Sequence, residues 1–193
     1  MNRSYDGVSD IAFEKRGDRT VLTNRYRSGN SRISALIPTE DDTPLYFLVA
    51  TGGGFIEGEK YYNIATLEKD AHAILTTQTP NYIYKCPNGK TTSQLNEIMV
   101  KENAFLEYYI DEVIPYEDAI YYQKTFADIK KGGSLILTDG LTAGWSKSDT
   151  PFLYNKVDLK TKILYDNELV FNDYLIVNPR EENMGELGLF EGY

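Results

Sequence analysis

The 193-residue sequence contains one cysteine, one histidine and one tryptophan. Cys86 has no partner for an intrachain disulfide, which excludes a disulfide-stapled secreted scaffold. His72 and Cys86 together fall well short of the four nitrogen or sulfur ligands of a structural zinc site. As a nucleophile and base they lack support too: the loop Lys85-Cys-Pro-Asn88 carries no cysteine-hydrolase signature, and no Gly-x-Ser-x-Gly elbow occurs anywhere. No stretch approaches the roughly 18 apolar residues of a membrane helix. The first twenty residues hold Asp6, Asp10, Glu14, Lys15 and Arg16 in place of the apolar core of a signal peptide. A soluble, cytoplasmic chain is the expectation. A basic face is missing as well: the net charge is −9 with the two signs intermixed, which argues against a nucleic-acid surface. Helical periodicity is nearly absent; Thr91–Val100 is the one candidate, and strand is the better reading even there.

What the sequence does have is tyrosine, 16 of them beside eight phenylalanines. Aromatic side chains suit a pleated, half-buried surface, so the composition leans toward β structure. The length suits one domain with a real core. Alternating segments Asp10–Lys15 and Thr20–Tyr26 read as a strand, a turn and a strand. Arg27–Arg32 reads as a turn, Ile33–Ile37 as a short apolar piece, and Glu40–Pro44 as an acidic loop leading into the buried strand Leu45–Ala50. Beyond it, Glu68–Thr77, Lys101–Tyr109 and Lys130–Thr138 resemble one another, each a polar turn followed by a strand. Each is preceded by another strand: Tyr61–Leu67, Gln94–Val100 and Tyr121–Ile129. The period is about thirty residues, the range of stacked supersecondary units. Three hairpin-like units predict an all-β, helix-poor, elongated architecture in which coils stack on coils in the manner of a β-helix. Asn81–Gly89 and Glu112–Asp118 read as interruptions, with Pro80, Pro87 and Pro115 where ladder hydrogen bonds stop. Further strands are expected at Phe152–Asp158, Lys162–Tyr165 and Leu169–Val177, with a turn at Asp166-Asn167.

The corner Thr51-Gly-Gly-Gly-Phe-Ile-Glu-Gly-Glu-Lys60 organises the chain, turning it sharply out of the most apolar run through glycines that accept positive φ. Gly53 and Gly58 have the spacing of a phosphate loop, but Glu59 stands where that loop needs lysine and Tyr61 where it needs Ser or Thr. Glu57 and Glu59 would repel phosphate. The remaining carboxylates, Glu107, Asp111, Glu117 and Asp139 among them, are solvated acids in the plain reading. A pair of them could serve glycoside hydrolysis, and acids along an interior passage would offer oxygen ligands suited to passing a divalent cation.

Taken in order, the corner, the strand Ala73-Ile-Leu-Thr-Thr-Gln-Thr79 with its step Ile83-Tyr-Lys85, the segment Phe105-Leu-Glu-Tyr-Tyr109 with Val113-Ile-Pro-Tyr116, Tyr122-Gln123 and Asp139-Gly-Leu-Thr-Ala-Gly144 resemble the urease accessory protein UreD (UreH) family. The likeness covers most of residues 8–190. It implies a single β-rich domain over 1–193, shorter than family members and lacking their final strands. It implies no enzyme but a scaffold that binds apo-urease subunits and UreF, with UreG recruited through UreF, and passes nickel to urease without holding a stable cofactor. Neither nucleic acid nor membrane figures among its partners. Carried over by the likeness are Gly52, Gly53, Gly54 and Gly58 as the corner, and Thr76, Thr77 and Gln78 as the strand beside it. Glu59 and Asp139 are candidates for the metal path, Glu107 and Tyr108 for partner contacts. Trp145 departs from the Gly-Arg usual after Gly144, which points to a different docking surface there. The rival reading from the residues alone is a carbohydrate-binding or carbohydrate-cleaving β-solenoid with tyrosines as stacking platforms. A purely structural β protein or a cation-binding module stands behind it.

Overall fold

The computed structural model describes residues 5–184. Its elements in chain order are β1 (Gly7–Arg16), β2 (Arg19–Gly29), β3 (Ser31–Ile33), β4 (Leu45–Ala50), β5 (Lys60–Leu67), β6 (His72–Gln78) and β7 (Asn81–Ile83). They continue with β8 (Thr92–Val100), β9 (Phe105–Tyr109), β10 (Val113–Pro115), β11 (Ile120–Ile129), β12 (Ser134–Thr138), β13 (Lys156–Tyr165) and β14 (Glu168–Val177). No helix occurs among the described residues, and the strands stack as in a β-solenoid. Thr92–Val100 is strand, as its alternation required.

The thirty-residue echo is the coil of this solenoid. Tyr62 lies opposite Leu95 and Thr92 opposite Tyr121 in one sheet; Leu45 lies opposite Ile74 and His72 opposite Phe105 in the other. All of these pairings are parallel. The expected hairpin-like units are therefore not hairpins. The two strands of each repeat lie in different sheets and pair with the next repeat, which leaves local turn chemistry looking the same. A seven-stranded sheet runs β14-β13-β11-β8-β5-β1-β2 and a five-stranded sheet β12-β9-β6-β4-β3. Only the outermost pairs β1–β2, β13–β14 and β3–β4 are antiparallel.

Four expectations need correction. Arg27–Arg32 is not a turn: β2 continues to Gly29, Asn30 reverses the chain, and β3 follows. The presumed interruptions at 81–89 and 112–118 contain β7 and β10, which pair in parallel. Isolated bridges Phe55–Ile83, Val113–Leu141 and Tyr116–Trp145 extend this third, narrow side of the coil. Pro115 thus belongs to a strand; its carbonyl still accepts from the Trp145 amide at 2.9 Å, and a strand three residues long tolerates its missing N–H. Finally, residues 152–155 are not strand, and β13 is one unbroken element from Lys156 to Tyr165.

Alternation sorts the interior into rows running along the stack. Ile11, Ala65, Ile98 and Ala127 share one row, and Phe13, Leu67, Val100 and Ile129 the next; all are 7% exposed or less. With Leu75, Leu106 and Tyr108 of the five-stranded sheet they form the larger apolar core. Fully burying such a side chain contributes about 1.5–3 kcal/mol. A second core lies behind the third side, built on Phe55, Tyr61, Ile83, Val113, Tyr121, Tyr154 and Val157.

Candidate functional site

Between the two cores runs a row of polar side chains in strict register: Ser9, Asn63, Asn96, Thr125 and Thr161 on β1, β5, β8, β11 and β13. Ser9 Oγ donates to Asn63 Oδ1 at 2.6 Å, and Asn63 Nδ2 to Asn96 Oδ1 at 3.0 Å. Gln94 Nε2 donates to the same Asn96 oxygen at 3.1 Å, and Asn96 Nδ2 donates to Thr125 Oγ1 at 3.1 Å. In the neighbouring row the Tyr121 hydroxyl donates to Gln123 Oε1, and Gln123 Nε2 reaches Asp139 Oδ2 at 3.2 Å. Four inter-strand steps of about 4.8 Å make this band roughly 19 Å long. Its groups are neutral until it ends at the Asp139 carboxylate.

A cavity of about 40 Å³ opens beside the band, lined by Ser9, Asn63, Thr77, Asn81 and Gln94 together with the glycine-rich corner. The space suits a few waters. Asn81 Nδ2 is buried without a protein partner, so a polar occupant would satisfy it. Thr77 Oγ1 accepts the Asp111 amide at 3.0 Å, while Thr76 faces away and Gln78 is exposed. The Gln78–Thr79 peptide is cis.

The corner itself is built by carboxylates. Gly52, Gly53, Gly54 and Gly58 all have positive φ. At Gly54 a side chain would also stand 2.8 Å from the Tyr82 carbonyl, which accepts the Phe55 amide. Glu59 accepts from Asn30 Nδ2 (3.0 Å), the Ile56 amide (3.0 Å) and the Tyr61 hydroxyl (2.9 Å). Glu57 accepts from the Asn88 amide and side chain and from the Lys90 amide; these bonds outweigh desolvation and hold its pKa below the usual value. Asp139 differs. It sits exposed on the surface where the five-stranded sheet ends, yet its carboxyl turns inward onto Gln123, and desolvation raises its pKa. The Gly140 amide and Gln123 offset part of that rise, and Asp173 adds to it. Glu59 and Asp139 thus lie on separate elements, one tied into the corner and one at the end of the polar band.

The partner-contact candidates separate in the same way. Tyr108 is 1% exposed and belongs to the core, so it presents no surface. Glu107 is half-buried in a side-chain network. Its Oε1 lies 2.8 Å from His72 Nε2, and its Oε2 takes the Tyr109 hydroxyl at 2.6 Å. The Tyr109 bond, aided by His72 against desolvation, lowers the pKa of Glu107. His72 also stacks on Phe105. Trp145 is 47% exposed, and its ring lies 4.7 Å from that of Tyr116, which in turn meets Tyr84 edge-on at 5.0 Å. These three rings with Lys85, Glu117 and Lys147 line an open cleft of about 540 Å³. Neither the polar band nor this cleft is evident from single residues. Their signal is the repeat itself: Asn63 and Asn96 hold equivalent positions in successive coils, as do Gln94 and Gln123. Among the described residues no three His, Cys, Asp or Glu side chains stand close enough to hold a metal ion. No helix among them is long and apolar enough to cross a membrane.

Residues 5–193 match the family model described as UreD urease accessory protein. The chain is 46% identical over its full length to the urease accessory protein UreD of Streptococcus thermophilus (strain CNRZ 1066), covering 69% of that protein. It is 45% identical to the UreD of Streptococcus salivarius (strain 57.I), again over 69% of its length. To the UreD of Lachnoclostridium phytofermentans it is 32% identical over 191 residues, which are 98% of this chain and 69% of that one.

Proposed function

The chain belongs to the UreD urease accessory protein family, and from that premise we propose that it serves urease maturation in the cytoplasm as a non-catalytic scaffold. In this reading it binds apo-urease subunits and UreF, with UreG joining through UreF, and nickel is cargo that passes along it to the urease active site. Family membership over residues 5–193 is the observation that carries the reading. The polar band supports the passage. Its amides and hydroxyls offer weak oxygen donors that a hydrated divalent cation exchanges easily. Asp139, at the end of the band, is the one carboxylate aimed into it, and it remains the better candidate for the metal path. Glu59 has its oxygens occupied by the corner, so its part is to hold the mouth of the cavity in shape. Glu107 and Trp145 are the accessible candidates for partner contacts; exposed tryptophan and tyrosine in a cleft are the residues that most often anchor interfaces.

Co-expression of the tagged chain with urease subunits and UreF, followed by pull-down, tests the scaffold. Both partners are expected to co-purify, with Trp145→Ala weakening retention of one of them. A folded chain that captures neither would overturn it. Nickel-dependent urease activation in the same cells tests the cargo step: Asp139→Asn is expected to lower activation while the complex still forms.

A further inference from the structure

The two sheets do not end together. The seven-stranded sheet adds β13 and β14 beyond β11, whereas the five-stranded sheet stops at β12, the strand of the same coil as β11. At one end of β13 and β14 the gap is filled: Tyr154 and Met184 pack on Val157, Leu159 and Val177. At the other end no described residue faces the sheet. Phe171 pairs with Ile163 on the inner face and is 49% exposed. Across from them Leu135 and Leu137 of β12 are only partly buried. Two carboxylates border this uncovered face. Asp139 follows β12 and points inward; Asp173 pairs with the inward-facing Thr161. They are close enough that Asp173 raises the pKa of Asp139, and neither has a basic partner among the described residues.

An apolar sheet face edged by two unanswered acids defines what would cover it. A second copy of this chain brings the same two acids against their own images, which like-charge repulsion disfavours. We propose that the uncovered inner face of β13–β14 is a docking surface for an extended segment of a partner protein that places apolar side chains on Ile163 and Phe171 and a lysine or arginine between Asp139 and Asp173. The segment supplies the missing facing layer at the usual sheet-to-sheet separation of about 10 Å. Its cation relieves the repulsion between the acids and gives the contact its selectivity. This surface lies apart from the Trp145 cleft and depends on no role for nickel.

The test uses two fluorescent ten-residue peptides of alternating leucine and serine, identical except for a central lysine in one and glutamate in the other. Anisotropy titrations are made against the full chain. The lysine peptide is expected to bind at least tenfold more tightly than the glutamate peptide. Asp173→Lys should reverse that preference, and Phe171→Ser should weaken both peptides. Both side chains are exposed, so melting temperatures that match the parent confirm the fold of each variant. Equal binding of the two peptides, binding of neither, or a preference that survives Asp173→Lys overturns the proposal. So does a dimer in light scattering that Phe171→Ser abolishes, because the occupant is then a second copy.

Discussion

Removing the Glu59 carboxylate would leave Asn30 Nδ2, the Ile56 amide and the Tyr61 hydroxyl without their acceptor. Glu59→Ala is therefore expected to destabilise the chain by about 1–3 kcal/mol, read as a lower midpoint in urea. Asp139 should respond in the opposite sense. Its pKa is raised in the folded chain above the ordinary 3.8. The unfolded chain therefore ionises first as pH rises, and the ionised carboxylate costs stability from there upward. Asp139→Asn is expected to raise the melting temperature at pH 7 and to leave it unchanged near pH 3, where both states are protonated. Equal shifts at the two pH values would contradict this account. Sequence order picked out both acids but not their different roles. Those depend on Asn30 and Gln123, residues 29 and 16 positions away, and no local pattern joins them.

At the scale of elements, the corner and the polar band make separate demands. Gly52 has open space around its missing side chain, whereas at Gly54 an added Cβ would meet the Tyr82 carbonyl. Both have positive φ, so Gly52→Ala carries only the backbone cost, of order 1 kcal/mol, and Gly54→Ala adds a clash to it. Parallel thermal melts should rank Gly54→Ala clearly lower. In the band, Asn96→Leu would orphan the donors of Asn63 and Gln94. A loss of roughly 2–5 kcal/mol is expected, larger than an ordinary surface change produces. The strands were legible because their alternation is local: β4, β5, β6, β9 and β12 follow the apolar pattern closely. Parallel pairing was not, since the partner of each strand lies a whole coil away and the intervening turns resemble hairpin turns. β7 and β10 were missed for another reason. Three residues beside a proline look like loop until a neighbouring coil supplies the ladder.

For the whole molecule, a stack whose coils touch mainly their neighbours draws its stability from nearest-neighbour interfaces. Its two ends are built differently. At the first, β2 and β3 close both sheets with reversed strands, and Arg19, Arg25 and Arg27 on the outermost strand discourage edge pairing. At the other, one sheet simply runs on past its companion. The molecule therefore has a direction, and opening fluctuations should begin at one end. Amide hydrogen exchange is expected to be fastest in β12 and β14, slower in β9 and β11, and slowest in β5 and β8, with a ligand on the uncovered face slowing the fast end alone. A uniform exchange profile would mean that the chain opens all at once. A graded one would make the stack a zipper with a single free tab, which a binding partner could hold shut.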